Sequence, residues 1–208
     1  MPDSFDTMTP RAALAAVARD FHARGWMAGT SGNLSVRHAA DSFWITASGC
    51  PKGRLNEGDF VRVAIADCTE LERGEPQARL SAEASIHGAI YQLFATAGAC
   101  LHVHTVDATL VSLRAPAAAS SLALPPIEML KGLGIWEQSP QVDLALFDNL
   151  LEVPRIAAAI QQRFGAQPPR VPALLIRGHG VTVWGETLQQ AYNRVEVVEF
   201  LLSYLART

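Results

Sequence analysis

The 208-residue sequence has no apolar run approaching the ~18 residues a membrane helix needs, and residues 1–10 lack the basic stretch and apolar core of a secretory leader. Membrane spanning and secretion are therefore disfavoured. Cysteine is scarce: Cys50, Cys68 and Cys100 are odd in number and widely spaced, which suits free thiols in a reducing cytoplasm rather than a disulfide framework. Dense Lys/Arg runs are missing too, and with a formal charge of −3 the electrostatic footprint of a nucleic-acid binder is absent. What the chain does have is apolar content, 49 % of its residues, enough for one sizeable core. No repeat, low-complexity tail or convincing linker divides it, so residues 1–208 read as a single domain.

The pattern of elements is mixed. Thr9-Pro10 is an N-cap and N1 pair, Leu14, Val17, Ala18 and Phe21 recur at helical spacing, and Gly25 closes that first helix. Asn33 to Arg37, Phe43 to Thr46 and Val61 to Ile65 read as strands. Ser81 is expected to cap a helix running to about Ala95, and Ala99 to His104 is too short for a helix and reads as a buried strand. A helix over about 107–113, a loop over 115–126, a helix from Pro154, strands over 171–176 and 181–184 and a helix over 187–206 complete the order. This predicts a mixed sheet covered by helices.

Side chains alternate along a strand, so His102 and His104 point to one face while Val103 enters the opposite layer. Two imidazoles on one face can share an ion. His179 stands between Gly178 and Gly180 at the end of an apolar strand, where the glycines let the backbone turn sharply and project the ring. Three histidines with an open fourth position are the pattern of a catalytic zinc site. Cys100 shares the face of the pair; it is a fourth donor or, one pleat deeper, a core thiol.

Gly29-Thr30-Ser31-Gly32-Asn33 combines glycines free to adopt positive φ with short hydroxyl and amide donors, the chemistry of a backbone nest for phosphate. Ser48-Gly49 and Ser81, the latter at an expected helix N-terminus, repeat the theme. Lys52 is either a cation of that site or a solvated loop residue. Glu83 either complements a helix dipole or works as an acid/base, and Glu128 is either an exposed loop charge or an acid/base. His87, four residues after Glu83, reads as a packing or hydrogen-bonding residue of the same helical face.

Taken together, Gly29-Thr-Ser-Gly-Asn-Leu-Ser35, Ala47-Ser-Gly49, Lys52-Gly-Arg-Leu55, Ser81-Ala-Glu83, His102-Val-His104, Glu128-Met-Leu-Lys-Gly132 and Gly178-His-Gly180 resemble the class II (zinc-dependent) aldolase/adducin-like family. Lys52-Gly-Arg-Leu55 and Glu128-Met-Leu-Lys-Gly132 resemble its methylthioribulose-phosphate dehydratase branch, of methionine salvage, rather than its fuculose- or ribulose-phosphate branches. The resemblance implies a three-layer α/β/α domain with a mixed, largely antiparallel sheet, in a cytosolic homotetramer with sites near subunit contacts. It implies one zinc per subunit on His102, His104 and His179, and phosphate held by Gly29 to Asn33 with Ser48, Gly49, Ser81 and Lys52. It also implies dehydration of 5-methylthioribulose 1-phosphate, with Glu128 as the acid/base and Glu83 able to share that role or to occupy the metal. The alternatives are an aldolase or epimerase acting on fuculose 1-phosphate or ribulose 5-phosphate, and a non-catalytic head domain resembling adducin.

Overall fold

The computed structural model describes residues 5–208, so the reading of the first four residues lies outside them. Helix α1 (Pro10–Ala23) begins as expected, with Thr9 Oγ1 accepting the Ala12 N–H and proline at N1; Gly25, at φ +77°, turns the chain out of it. Strands β1 (Asn33–Ala39) and β2 (Ser42–Thr46) form a hairpin tighter than expected, and β3 (Phe60–Ala64) pairs on β2. After β4 (Glu70–Arg73) come α2 (Ala84–Leu93), β5 (Ala99–Val103) and α3 (Val106–Arg114). The C-terminal half holds β6 (Ser121–Ala123), β7 (Asp143–Phe147), α4 (Val153–Ala166), β8 (Ala173–Ile176), β9 (Gly180–Gly185) and α5 (Leu188–Arg207).

Among the described residues nine strands form one sheet in the order β4-β3-β2-β1-β5-β9-β8-β7-β6, antiparallel at every contact except β7–β8. Period-2 alternation divides its side chains between two cores. Leu101, Val103, Val181, Val183 and Leu175 pack with α1, α3 and α5, whereas Cys100, Trp184, Leu174, Ile176 and Phe147 pack with α2 and α4. That is the expected three-layer, mixed and mostly antiparallel architecture.

Three local readings are corrected. Helix α2 starts at Ala84 with Glu83 rather than Ser81 at the cap position; the Ser81 hydroxyl accepts the Glu83 N–H at 3.3 Å in a turn just ahead of the helix. The 115–126 stretch is not all loop, because β6 pairs with β7 there, and neither β7 nor β4 was anticipated. β4, Glu-Leu-Glu-Arg, is a largely exposed edge held by backbone pairing, so no apolar alternation announces it.

Candidate metal centre

Antiparallel pairing of β5 with β9 sets His102 opposite Thr182 and Val103 opposite Val181, so the end of β5 lies beside the start of β9. His104, one residue past β5, stays extended because its N–H donates to the Trp26 carbonyl at 2.9 Å. The β8–β9 turn carries His179 to the same place. Gly178 adopts φ +60°, and a Cβ on Gly180 would stand 2.3 Å from the Val103 carbonyl and 3.1–3.2 Å from the rings of His104 and His102. Arg177 anchors this turn to the end of α3 by donating to the carbonyls of Ser112, Ala115, Pro116 and Ala119 at 2.9–3.1 Å.

The three rings meet nearly edge to face, with centroids 4.5–5.0 Å apart and interplanar angles of 76–86°. Glu83 closes the group: its Oε1 lies 2.9 Å from His179 Nε2 and its Oε2 3.5 Å from His102 Nε2. One ligand atom from each of Glu83, His102, His104 and His179 falls within 4.8 Å of all the others. Two observations test whether these residues suit a metal ion. His102 Nδ1 lies 3.0 Å from the Val181 carbonyl and 2.9 Å from Thr182 Oγ1; the carbonyl can only accept, so the ring proton is on Nδ1 and the Nε2 lone pair faces the cluster. His179 Nδ1 is buried with no partner among the described residues. Burial also lowers the pKa of His102, and burial with the neighbouring His102 and His179 brings His104 down to about 3, so both rings are neutral, the ligating form. Burial opposes ionisation of Glu83, but coupling to His102 and hydrogen bonds from His179 and Asn33 outweigh it and hold the carboxyl below its usual range. The donor set fits a divalent ion of the zinc type, with nitrogen and carboxylate ligands.

Beside this group is a cleft of about 180 Å³. The β1–β2 hairpin places the start of β1 against the end of β2, where Leu34 N–H donates to Thr46 Oγ1, and so brings their flanking loops together. Thr30, Ser31, Gly32, Asn33, Ser48, Gly49, Lys52, Ser81 and Glu83 all line the cleft, as does His104. Gly29, Gly32 and Gly49 have φ of +61°, +76° and +75°. Lys52 is 1 % exposed, not solvated; its ammonium donates to the carbonyls of Thr30 and Cys50, both at 3.0 Å, and burial lowers its pKa.

A family model of the class II aldolase and adducin N-terminal domain matches residues 12–205. The chain is 54 % identical over 196 residues to a methylthioribulose-1-phosphate dehydratase of Microcystis aeruginosa, covering 94 % of each chain. The chain belongs to the class II aldolase/adducin family. It is also 41 % identical to a methylthioribulose-1-phosphate dehydratase of Leptospira biflexa, over 97 % of this chain and 99 % of that one. Among solved structures it resembles a putative aldolase/epimerase/decarboxylase of Escherichia coli, with a TM-score of 0.76 and 25 % identity over 93 % of this chain and 86 % of that one.

Of the residues expected to act in this class II domain, Gly29 precedes the lining loop without itself lining the cleft, and Glu128 is not brought to it. Its side chain is 82 % exposed in a 3-10 turn (Glu128–Leu133), with Lys131 Nζ at 2.8 Å. Cys100 lies outside the metal-capable group; it is fully buried with Trp184 and Leu174, and burial raises its thiol pKa. Sequence reasoning missed Thr182 and the Val181 carbonyl, which orient His102. The one signal was a lone buried hydroxyl in the apolar run Gly180-Val-Thr-Val-Trp184.

Proposed function

We propose that the chain is a zinc-dependent methylthioribulose-1-phosphate dehydratase, converting 5-methylthioribulose 1-phosphate to 2,3-diketo-5-methylthiopentyl 1-phosphate and water in cytoplasmic methionine salvage. The observation that carries the reading is the convergence of three imidazoles and Glu83 on the rim of a cleft built from positive-φ glycines and short donors. An ion held by His102, His104 and His179 supplies Lewis-acid polarisation of the ketose oxygens. Thr30 to Asn33, Ser48, Gly49 and Ser81 hold the phosphate through N–H and hydroxyl groups, with the Lys52 ammonium beneath them. Glu83, ionised beside the ion, aligns the substrate's hydroxyl groups or shares proton transfer.

Glu128 takes the proton from C3 and delivers it to the hydroxyl leaving C4, which departs as water; the resulting enol then becomes the ketone. Since Glu128 is remote from the cleft of its own chain, it acts in the cleft of a second copy within a homotetramer. Val106, Leu110 and Leu113 of α3 and Phe200 and Tyr204 of α5 are 41–74 % exposed, and the two helices pack together. Leu113 reaches Gly178, so this apolar face extends to the loop carrying His179.

The test couples zinc analysis to turnover. Purified protein should carry one zinc per chain and dehydrate methylthioribulose 1-phosphate; His104→Ala should lose both metal and turnover. Glu128→Gln should keep zinc while turnover falls by about 100-fold or more. Mixed tetramers of the two inactive variants should regain activity, and failure to do so would remove Glu128 from the neighbour's cleft. Retro-aldol cleavage without water loss would replace the dehydratase reading with an aldolase.

A further inference from the structure

A line of buried polar groups runs from Glu83 into the layer beneath α2. The Asn33 amide N–H donates to Glu83 Oε2. Asn33 Oδ1 lies 2.5 Å from His87 Nε2, His87 Nδ1 lies 2.6 Å from Ser35 Oγ, and Ser35 Oγ lies 2.8 Å from the Tyr91 hydroxyl. Asn33 and Ser35 share a face of β1, two residues apart, and His87 and Tyr91 share a face of α2, four residues apart, so strand and helix interleave the four groups. His87 and Ser35 have no exposed surface and Tyr91 only 2 %.

The direction of every bond in this line follows from its outer end. A carboxylate only accepts, so the Asn33 NH₂ must face Glu83 and its carbonyl oxygen must face His87. That oxygen accepts only, so the His87 proton sits on Nε2. A neutral ring then has a bare Nδ1, which at 2.6 Å takes the Ser35 hydroxyl proton ahead of the Cys100 carbonyl at 3.2 Å, and the Tyr91 hydroxyl donates to Ser35. Burial lowers the pKa of His87 to about 3, so the ring is neutral at physiological pH. All four donors point toward Glu83. A histidine that merely filled space would be indifferent to which nitrogen carried the proton, whereas here one tautomer alone satisfies both neighbours.

We propose that His87 is a positioning residue of the reaction: its Nε2–H locks the Asn33 amide in the orientation that presents N–H to Glu83 and to the anion cleft Asn33 lines. Without that donor the carboxylate alone holds the amide, which is then free to swing out of line and withdraw its N–H from Glu83 and from the cleft. The proposal rests on the reading of this site as a metal centre beside a phosphate cleft.

Three variants test it, each with thermal stability, zinc affinity by chelator competition, and kcat and KM measured. His87→Leu removes the donor, His87→Gln keeps an amide N–H near the position of Nε2, and Ser35→Ala leaves the ring in place but removes the donor that reserves Nδ1 as an acceptor. His87→Leu should weaken zinc binding and kcat by about 10- to 100-fold each. His87→Gln should recover most of both at a similar loss of stability, and Ser35→Ala should fall between. Equal zinc affinity and kcat in the Leu and Gln variants would overturn the proposal. If His87→Leu does not fold, wild-type zinc affinity and turnover in Ser35→Ala overturn it instead. Should the wild-type protein bind zinc but leave methylthioribulose 1-phosphate untouched, the dehydratase reading fails, while the order of zinc affinities still decides the role of His87.

Discussion

Gly180 shows how closely a single residue is held to the chemistry. Its φ is unremarkable, so freedom of the backbone is not the reason for glycine; space is, with the Val103 carbonyl and two imidazoles occupying the volume of any Cβ. Gly180→Ala should therefore force β9 away from β5. Expected are an overpacking loss of about 1–3 kcal/mol and a fall in zinc affinity of about 10-fold or more, read by denaturant unfolding and chelator competition. Unchanged zinc affinity would show that the rings relax around the methyl group. The pattern Gly178-His179-Gly180 was legible as a turn that projects a histidine. What the pattern did not contain was the reason for the second glycine, which lies in a strand 77 residues earlier in the chain, at Val103.

Helix α5 was predicted over 187–206 and runs from Leu188 to Arg207 with Thr187 as its cap, because its apolar positions recur at helical spacing for five turns. One residue on it breaks the pattern. Glu199 is 4 % exposed; Thr105 Oγ1 donates to its Oε2 at 2.8 Å, and Oε1 has no partner among the described residues. Burial, with Asp107 adding to it and the Thr105 bond opposing it, pushes the carboxyl up from 4.5 to about 8. Between those values the folded chain holds a proton that the unfolded chain has lost, so this group's contribution, full below 4.5, is lost as pH rises toward 8. The slope is roughly 1.4 kcal/mol per pH unit. Glu199→Gln should abolish it: unfolding in urea at pH 5.5 and 7.5 should show the variant gaining on the wild type at the higher pH, and a constant difference would contradict the assignment. Short elements were less legible than α5. β4 and β6 bury little and are held by backbone bonds to β3 and β7, and β7 is a run of four apolar residues that fits a strand or a piece of buried helix equally well.

At the scale of the whole molecule, the sheet order decides which loops share an edge, and the exposed α3–α5 face decides what the chain meets next. If that face seats a second copy, Leu110→Lys with Phe200→Lys should reduce the mass seen by light scattering, and turnover should fall with it because Glu128 would lose its cleft; an unchanged mass would place the contact elsewhere. The sequence by itself determined the local elements of strong period, the three histidines as a candidate set and the glycine-rich turns, since side-chain alternation, helical spacing and glycine conformations are properties of neighbouring residues. Only the tertiary structure decided that β5 lies between β1 and β9, and with it that Glu83 joins the histidines, that Lys52 is buried against the Thr30 carbonyl and that Glu128 stands apart from the cleft. Those outcomes depend on pairings between segments tens of residues apart, and no local pattern of residues encodes the register of a distant strand.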